Sequence, residues 1–215
     1  MRDDVAAIVL AGGAAKRLGG AAPGGKAALM LGGRTFLDRV VAAVAAEAGR
    51  VVVVAAPGQP LPELPTPVEV VRDTAAGAGP LAALRDGLVA VAVAARPPRT
   101  VLVVACDAPG VRPEVLGLLV RRLEETRAWW VVPEVDGQPQ VLCSAVDLAA
   151  VLPLVEARLA AGARDVRGLL AAARPHVVRI GAGELAAVDP GLASFLDVDT
   201  PEDLDGLRAR KIPPS

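Results

Sequence analysis

A short apolar run that ends in glycines and cations constrains this chain more than any other feature. Val5–Leu10 is apolar and rich in β-branched residues, the pattern of a buried strand. It passes directly into a segment carrying Gly12, Gly13, Gly19, Gly20, Gly24 and Gly25, with Lys16 and Arg17 inside it and Lys26 at its close. Glycine has no Cβ, so its backbone can take positive φ and its N–H groups can approach an anion closely. A turn of this kind after the first strand is where α/β folds hold phosphate. The plain alternative is a surface loop in an alanine- and glycine-rich protein, and the position right after strand one argues against it.

Two common phosphate motifs do not fit. A dinucleotide fingerprint needs G-x-G-x-x-G, whereas these glycines come as adjacent pairs, Gly12-Gly13 and Gly19-Gly20. Gly20–Lys26 approaches the Walker A spacing, but Ala27 stands where a hydroxyl should hold a metal, and no strand directly precedes Gly20.

The 215 residues, 53% of them hydrophobic, suffice for a real core, and a single α/β domain over 1–215 is the economical reading. A net charge of −1 implies neither a nucleic-acid nor a membrane-surface partner, so any affinity for anions must be local. Cys106 and Cys143 form no C-x-x-C and no metal-ligand cluster, which fits a reduced, cytoplasmic protein. Met1–Asp4 enters the first strand at once, leaving no room for a secretory signal, and the apolar run Leu88–Ala95 is too short to span a bilayer.

Beyond Lys26, apolar Ala27–Leu31 ends at a Gly32-Gly33 turn, and Thr35 suits the N-cap of a helix over Phe36–Ala48, stopped by Gly49. Strands follow at Val51–Ala55 and Val68–Val71, joined by a segment with Pro57, Pro60, Pro62, Pro65 and Pro67, too proline-dense for a helix or central strand. A helix over 80–95 opens on a proline, as does one over 113–127, and between them lies the most apolar strand, Thr100–Ala105. Trp129–Val132 reads as a strand, Asp136-Gly137 as a turn, and Gln138–Ser144 as its partner strand. Helical periodicity covers 147–161 and 164–173, Val177–Ile180 is a late strand, Ser194–Val198 leads into a helix start at Asp199–Asp203, and Ile212–Ser215 is a loose tail. Alternating strands and helices predict a doubly wound, mostly parallel, three-layer α/β sheet.

In such folds ligands lie beyond the carboxyl ends of the strands. Three features arrive there: the glycine segment, Asp73 after the third strand, and Asp107 after Thr100–Ala105. A carboxylate closing a buried strand needs a cation or several donors; the alternative is a cap on the Ala108-Pro109-Gly110 turn. His176, the lone histidine, begins a late strand and reads as structural. Glycines, cations and acids without acid–base machinery suit phosphoryl-type transfer, where charge stabilisation suffices and no covalent nucleophile is required.

Leu10-Ala11-Gly12-Gly13, Arg17-Leu18-Gly19 and Lys26 together resemble the L-A-G-G-x-x-x-R-[ML]-G-x-x-K signature of the nucleotidyltransferases that include the molybdenum cofactor guanylyltransferases. The stretch from Gly19 to Lys26 is longer than in that pattern, and Gly25 replaces the usual Asp before the lysine. Cys106-Asp107-Ala108-Pro109 is similar to the family's C-D-x-P element, and Asp73 with Gly79-Pro80-Leu81-Ala82 to its D…G-P-L-x-G element. Phe195–Leu204 resembles F-x-N-V-N-T-P-E-D-L with Asp197 and Asp199 in place of the asparagines, and Gly137–Ala145 resembles G-x-P-Q-P-L-x-A. Ala55 and Ala56 stand where many relatives carry an Asn near the nucleotide.

The resemblance implies a cytoplasmic Rossmann-like nucleotidyltransferase with Mg2+ as cofactor, moving GMP from GTP to molybdopterin and releasing pyrophosphate. Arg17, Lys26 and Asp107 would be catalytic. Leu10, Ala11, Gly12, Gly13, Lys26, Asp73, Gly79, Pro80 and Asp107 would bind the nucleotide. Asp107 would ligate the metal together with Asp199, while both Asp197 and Asp199 also suit helix capping. Residues 1–110 would form a nucleotide-binding half and 111–210 an acceptor half, the latter lined by Gly137–Ala145 with Ala160, Gly162 and Arg164, and molybdoenzymes or cofactor-biosynthesis proteins would be partners. The rivals are a CTP-dependent or sugar-phosphate nucleotidyltransferase and, from another class, a non-catalytic nucleotide-binding regulatory module.

Overall fold

The computed structural model of the protein describes residues 2–12, 24–64, 67–73 and 79–209. Its frame is a mixed sheet. Strands β1 (Val5–Leu10), β4 (Arg50–Ala55), β5 (Glu69–Arg72) and β6 (Thr100–Ala105) pair in parallel, with β1 between β6 and β4. A small hairpin, β2 (Met30–Leu31) and β3 (Arg34–Thr35), turns through Gly32 and Gly33, both at positive φ. That turn suits the right-handed twist of paired strands, and only glycine takes it without strain at both positions.

The second half adds β7 (Trp130–Val135), β8 (Gln138–Pro139), β9 (Cys143–Asp147) and β10 (Val177–Gly181). The order across the sheet is β10-β7-β9-β6-β1-β4-β5, with β8 paired to β7 alone. The strand expected over Gln138–Ser144 is therefore two pieces. Asp136 and Gly137, both at positive φ, close a β7–β8 hairpin, after which residues 140–142 leave the sheet. Pro139 has no N–H to extend the ladder, and the Ser144 hydroxyl donates to the Val141 carbonyl at 2.8 Å, satisfying the break. From Cys143 onward β9 runs antiparallel to both β6 and β7. The sheet is thus mostly parallel, with one reversed strand set into its middle.

Seven helices cover the two faces among the described residues: α1 (Phe36–Ala45), α2 (Pro80–Ala92), α3 (Pro113–Thr126), α4 (Leu148–Ala160), α5 (Arg167–Ala172), α6 (Ala182–Val188) and α7 (Pro201–Ala209). The period-2 alternation of a strand decides which face each side chain serves. Val5, Ala7 and Val9 of β1 pack with α1, α3 and α6, whereas Ala6, Ile8 and Leu10 pack with α2, α4 and α5. A third cluster joins Leu31 and Phe36 to Val198 and Leu207, seating the C-terminal segment and α7 against the hairpin. Thr35 caps α1 as expected, its Oγ1 accepting from the Asp38 N–H at 3.1 Å. Helix α1 stops at Ala45, short of the expected Ala48: the Glu47 N–H takes a tighter bond to the Val44 carbonyl, and the Gly49 N–H leaves the helix for the Arg2 and Val5 carbonyls. The short α6 lacks a periodic signal long enough to read from sequence.

Gly87 lies where α2 presses on the sheet. A Cβ there would come within 2.7 Å of Ile8 Cγ2 and 3.1 Å of Val54 Cγ2. Both side chains are buried and β-branched, so neither can swing aside. Gly87→Ala sets a helix-propensity gain of about 1 kcal/mol against an overpacking cost of about 1–3 kcal/mol. We expect a net loss of stability by denaturant titration. Gly206→Ala, on α7 with nothing within 4 Å of its Cβ, is expected to raise stability by up to about 1 kcal/mol.

Candidate active site

The polar residues that chemistry could use gather at one edge of the sheet, beyond the ends of β1, β5 and β6. Hydrogen bonds carry the ladder a residue past each strand: Ala11 N–H to the Val54 carbonyl (2.8 Å), Cys106 N–H to Leu10 (3.0 Å) and Asp73 N–H to Ala55 (2.9 Å). They hold Ala11, Asp73 and Asp107 in one frame. Gly12 is exposed there and open, with nothing within 4 Å of a would-be Cβ. Gly13 and Arg17 lie outside the described residues, as do Lys16, Gly19, Gly20 and the tail 212–215.

Lys26 belongs to a 3₁₀ turn, Gly25–Ala28. It is only 8% exposed, so its charge needs partners. Its Nζ donates to Asp107 Oδ2 at 3.1 Å and to Asp199 Oδ1 at 2.5 Å. Burial works against the charge, but the hydrogen bond to Asp199 and the charge of Asp107 outweigh it, holding the Lys26 ammonium above its ordinary value. Asp199 comes from the segment after the 3₁₀ turn Ala193–Phe195, where the Val198 N–H donates to the Asp107 carbonyl at 3.0 Å. Thr200 Oγ1 accepts from the Asp203 N–H, while Asp203 Oδ2 accepts from the N–H groups of Asp199 and Thr200. That reciprocal cap leaves the Asp199 carboxylate to face Lys26. Asp197 turns toward the cavity. Crowding of its carboxyl by surrounding protein, and next the charge of Asp107, push its pKa up to about 6.

Two cavities meet at Asp107. One, of about 310 Å³, is lined by Leu10, Gly12, Ala56, Asp73, Gly79, Pro80, Ala83, Ala105, Asp107 and Leu142. The other, of about 450 Å³, shares Gly79, Pro80, Ala105, Asp107 and Leu142 and extends to Gln140, Arg164, Arg167, Phe195 and Asp197. Leu10, Gly12, Asp73, Gly79, Pro80 and Asp107 thus surround a single space. Ala11 and Lys26 line neither cavity, and Lys26 is joined to the wall by its ion pair with Asp107. Gly79 takes φ +90°, and a Cβ there would meet the Arg164 carbonyl at 2.9 Å, so glycine is required where the two cavities join. It also opens α2, where Pro80 has no N–H and the Leu81 N–H donates to the Arg164 carbonyl at 3.2 Å, tying the helix start to the wall of the larger cavity.

Two residues at this edge carry no signal in a single sequence. Arg39, buried on α1, donates from Nε to the Pro109 carbonyl at 3.0 Å and so braces the turn after Asp107. Gln59, in the proline-rich connection, spans the ends of the glycine segment: its Nε2 donates to the carbonyls of Ala11 (2.9 Å) and Gly24 (2.8 Å). Among the described residues no group of three or more His, Cys, Asp or Glu side chains is placed to hold a metal, and no helix is long and apolar enough to cross a membrane.

Residues 7–177 match the family described as the MobA-like NTP transferase domain. The chain is 38% identical over 171 residues to a probable molybdenum cofactor guanylyltransferase of Mycobacterium avium, covering 77% of this chain and 80% of that protein. It is 39% identical over 167 residues to a protein of the same description from Mycobacterium marinum, covering 77% and 78%. Its fold is that of molybdopterin-guanine dinucleotide biosynthesis protein A from Archaeoglobus fulgidus, with TM-score 0.75 and 24% identity over 95% of this chain and 97% of that one. It also superposes on 2-C-methyl-D-erythritol 4-phosphate cytidylyltransferase from Thermus thermophilus, with TM-score 0.69 and 19% identity over 94% and 96%. A strand-ending glycine segment, an acid closing the central strand and a family match spanning most of the chain lead to one conclusion: the protein is a nucleotidyltransferase and belongs to the MobA-like NTP transferase family.

Proposed function

We propose that the protein transfers GMP from GTP to the terminal phosphate of molybdopterin, giving the guanine dinucleotide form of the cofactor and pyrophosphate. The observation that carries this reading is the pair of cavities joined at Asp107 and Gly79, since a transferase must hold donor and acceptor on either side of the reacting phosphorus. The cavity bordered by Gly12 and Asp73 takes the nucleotide, and the larger one the acceptor. The chain's halves, 1–110 and 111–210, divide the work in the same way. The choice of guanine rests on the relatives' descriptions and on the Gly79-Pro80-Leu81 and Gly137–Ala145 elements.

The residues present fit a divalent cation. Asp107 and Asp199 converge within 3.1 and 2.5 Å of one ammonium, so two carboxylates already share a single positive charge. Mg2+ is commonly held by one or two carboxylates, with substrate phosphates and water completing the shell. When bound it would neutralise developing charge on the phosphates. Lys26 and Arg17 neutralise the triphosphate, and backbone N–H groups of the glycine segment hold it in place. An oxygen of the acceptor phosphate then attacks the α-phosphorus, the bond from that phosphorus to the bridging oxygen breaks, and the electron pair leaves with pyrophosphate. No covalent enzyme intermediate is required.

Asp107→Asn keeps the shape and removes the charge. Turnover with GTP and molybdopterin is expected to fall at least about a hundredfold, in the range of a lost charge-stabilising group, while GTP binding by calorimetry weakens far less. Near wild-type turnover at low Mg2+ would refute the assignment. Lys26→Ala is expected to weaken GTP binding and lower turnover together, measured by the same pair of assays. A pocket that pairs the guanine edge leaves buried polar groups unpaired when cytosine enters, at about 1–3 kcal/mol per lost partner. GTP should therefore exceed CTP by at least roughly tenfold in kcat/KM. In a competition assay with both nucleotides, predominantly cytosine dinucleotide product would favour the cytidylyl rival, and nucleotide binding without pyrophosphate release the non-catalytic one.

A further inference from the structure

We propose that Gln59 is the positioning residue that clasps the two ends of the glycine segment and so sets the triphosphate-binding frame. Its amide is almost fully committed. Nε2 donates to the carbonyls of Ala11 and Gly24, and Oε1 accepts from the Ala56 N–H at 3.1 Å. Only a primary amide satisfies this set, because two acceptors and one donor converge on a single planar head. The clasp joins Ala11, at the end of β1, to Gly24, two residues before Lys26. It therefore fixes the distance between the exposed Gly12 backbone and the cation that meets Asp107.

The support beneath Gln59 is stiff. Pro57 and Pro60 flank it, and Gly58 takes φ +69° to make the turn in which the Gln59 N–H meets the Ala56 carbonyl. Arg72, at the end of β5, donates from Nη1 to the carbonyls of Ala56 (3.2 Å) and Gln59 (2.7 Å). On the opposite side Gly24 is pressed against this loop, since a Cβ there would lie 2.9 Å from the Pro60 carbonyl. The proline-dense connection is thus a strut from the sheet edge to the glycine segment, with one amide at its tip. None of its described residues lines the larger cavity.

The proposal rests on reading the glycine segment as the triphosphate site. It is tested with two variants. Gln59→Glu keeps the size and the acceptor for Ala56 N–H but can no longer donate to two carbonyls, and Gln59→Met removes the polar head without adding charge. Binding of inorganic tripolyphosphate with Mg2+, followed by calorimetry, needs neither base nor acceptor. Both variants are expected to lose tenfold or more in tripolyphosphate affinity at a temperature where melting curves show them folded. The KM for GTP should rise while the KM for molybdopterin stays unmoved. Unchanged tripolyphosphate affinity with a lowered melting temperature would make Gln59 a merely structural residue and overturn the proposal. Failure of the unaltered protein to bind tripolyphosphate would overturn the reading of the glycine segment itself. Tripolyphosphate binding without a preference for GTP would reject guanylyl transfer and leave the clasp standing.

Discussion

All six residues of β1 are buried, and none is polar. Such a strand can be satisfied only in the middle of a sheet covered on both faces, with β4 and β6 taking its backbone hydrogen bonds. The two helical layers follow, because odd and even positions each need an apolar cover. So does the location of the chemistry. With β1 wholly apolar and its neighbours β4 and β6 apolar past their first residues, acids, cations and open glycine backbone collect where those strands stop. Their position is fixed by hydrogen bonds that run one residue beyond β1, β5 and β6.

At that edge the Lys26 ammonium meets two carboxylates from distant parts of the chain. Asp199 is half-exposed, so the pair with it contributes little to stability. Its value is positional. The arrangement brings the C-terminal segment to the cleft, with the Val198 N–H on the Asp107 carbonyl as a second tie. In the proposed reaction the same carboxylates would exchange a protein cation for a divalent one, and Lys26 would be released toward phosphate.

Much of the fold was legible because periodicity reports burial. Strand β6 announces itself by apolar continuity, and Asp107 by being the charge that ends it. Direction was less legible. Alternation does not say which way a strand runs, so the antiparallel course of β9 and the break after Pro139 appear only once the neighbours are known. Asp199 was ambiguous for a different reason, since Thr200 and Asp203 form a helix start in which an adjacent acid could equally serve. Gln59 was hidden altogether. Its partners are backbone carbonyls 48 and 35 positions away, and a carbonyl leaves no mark on residue identity. The family signature is legible only with outside knowledge of what such glycine–lysine spacings accompany.

The reversal of β9 has a consequence for how such a protein can diversify. Its parallel neighbours reach the working edge with their C-terminal ends, but β9 reaches it with its N-terminal end at Cys143. The chain arriving there comes from a hairpin return rather than from a crossover that must carry a helix. Residues 140–142, which line the larger cavity, belong to no helix and are tied to the sheet by main-chain bonds, Gln140 N–H to the Pro133 carbonyl and Ala105 N–H to the Leu142 carbonyl. One wall of the cleft is thus a return between paired strands, with no crossover helix in it, while the opposite wall is built from the C-terminal ends of parallel strands. On the proposed assignment of the two cavities, a lineage built on this frame would vary its acceptor through that return and keep its donor.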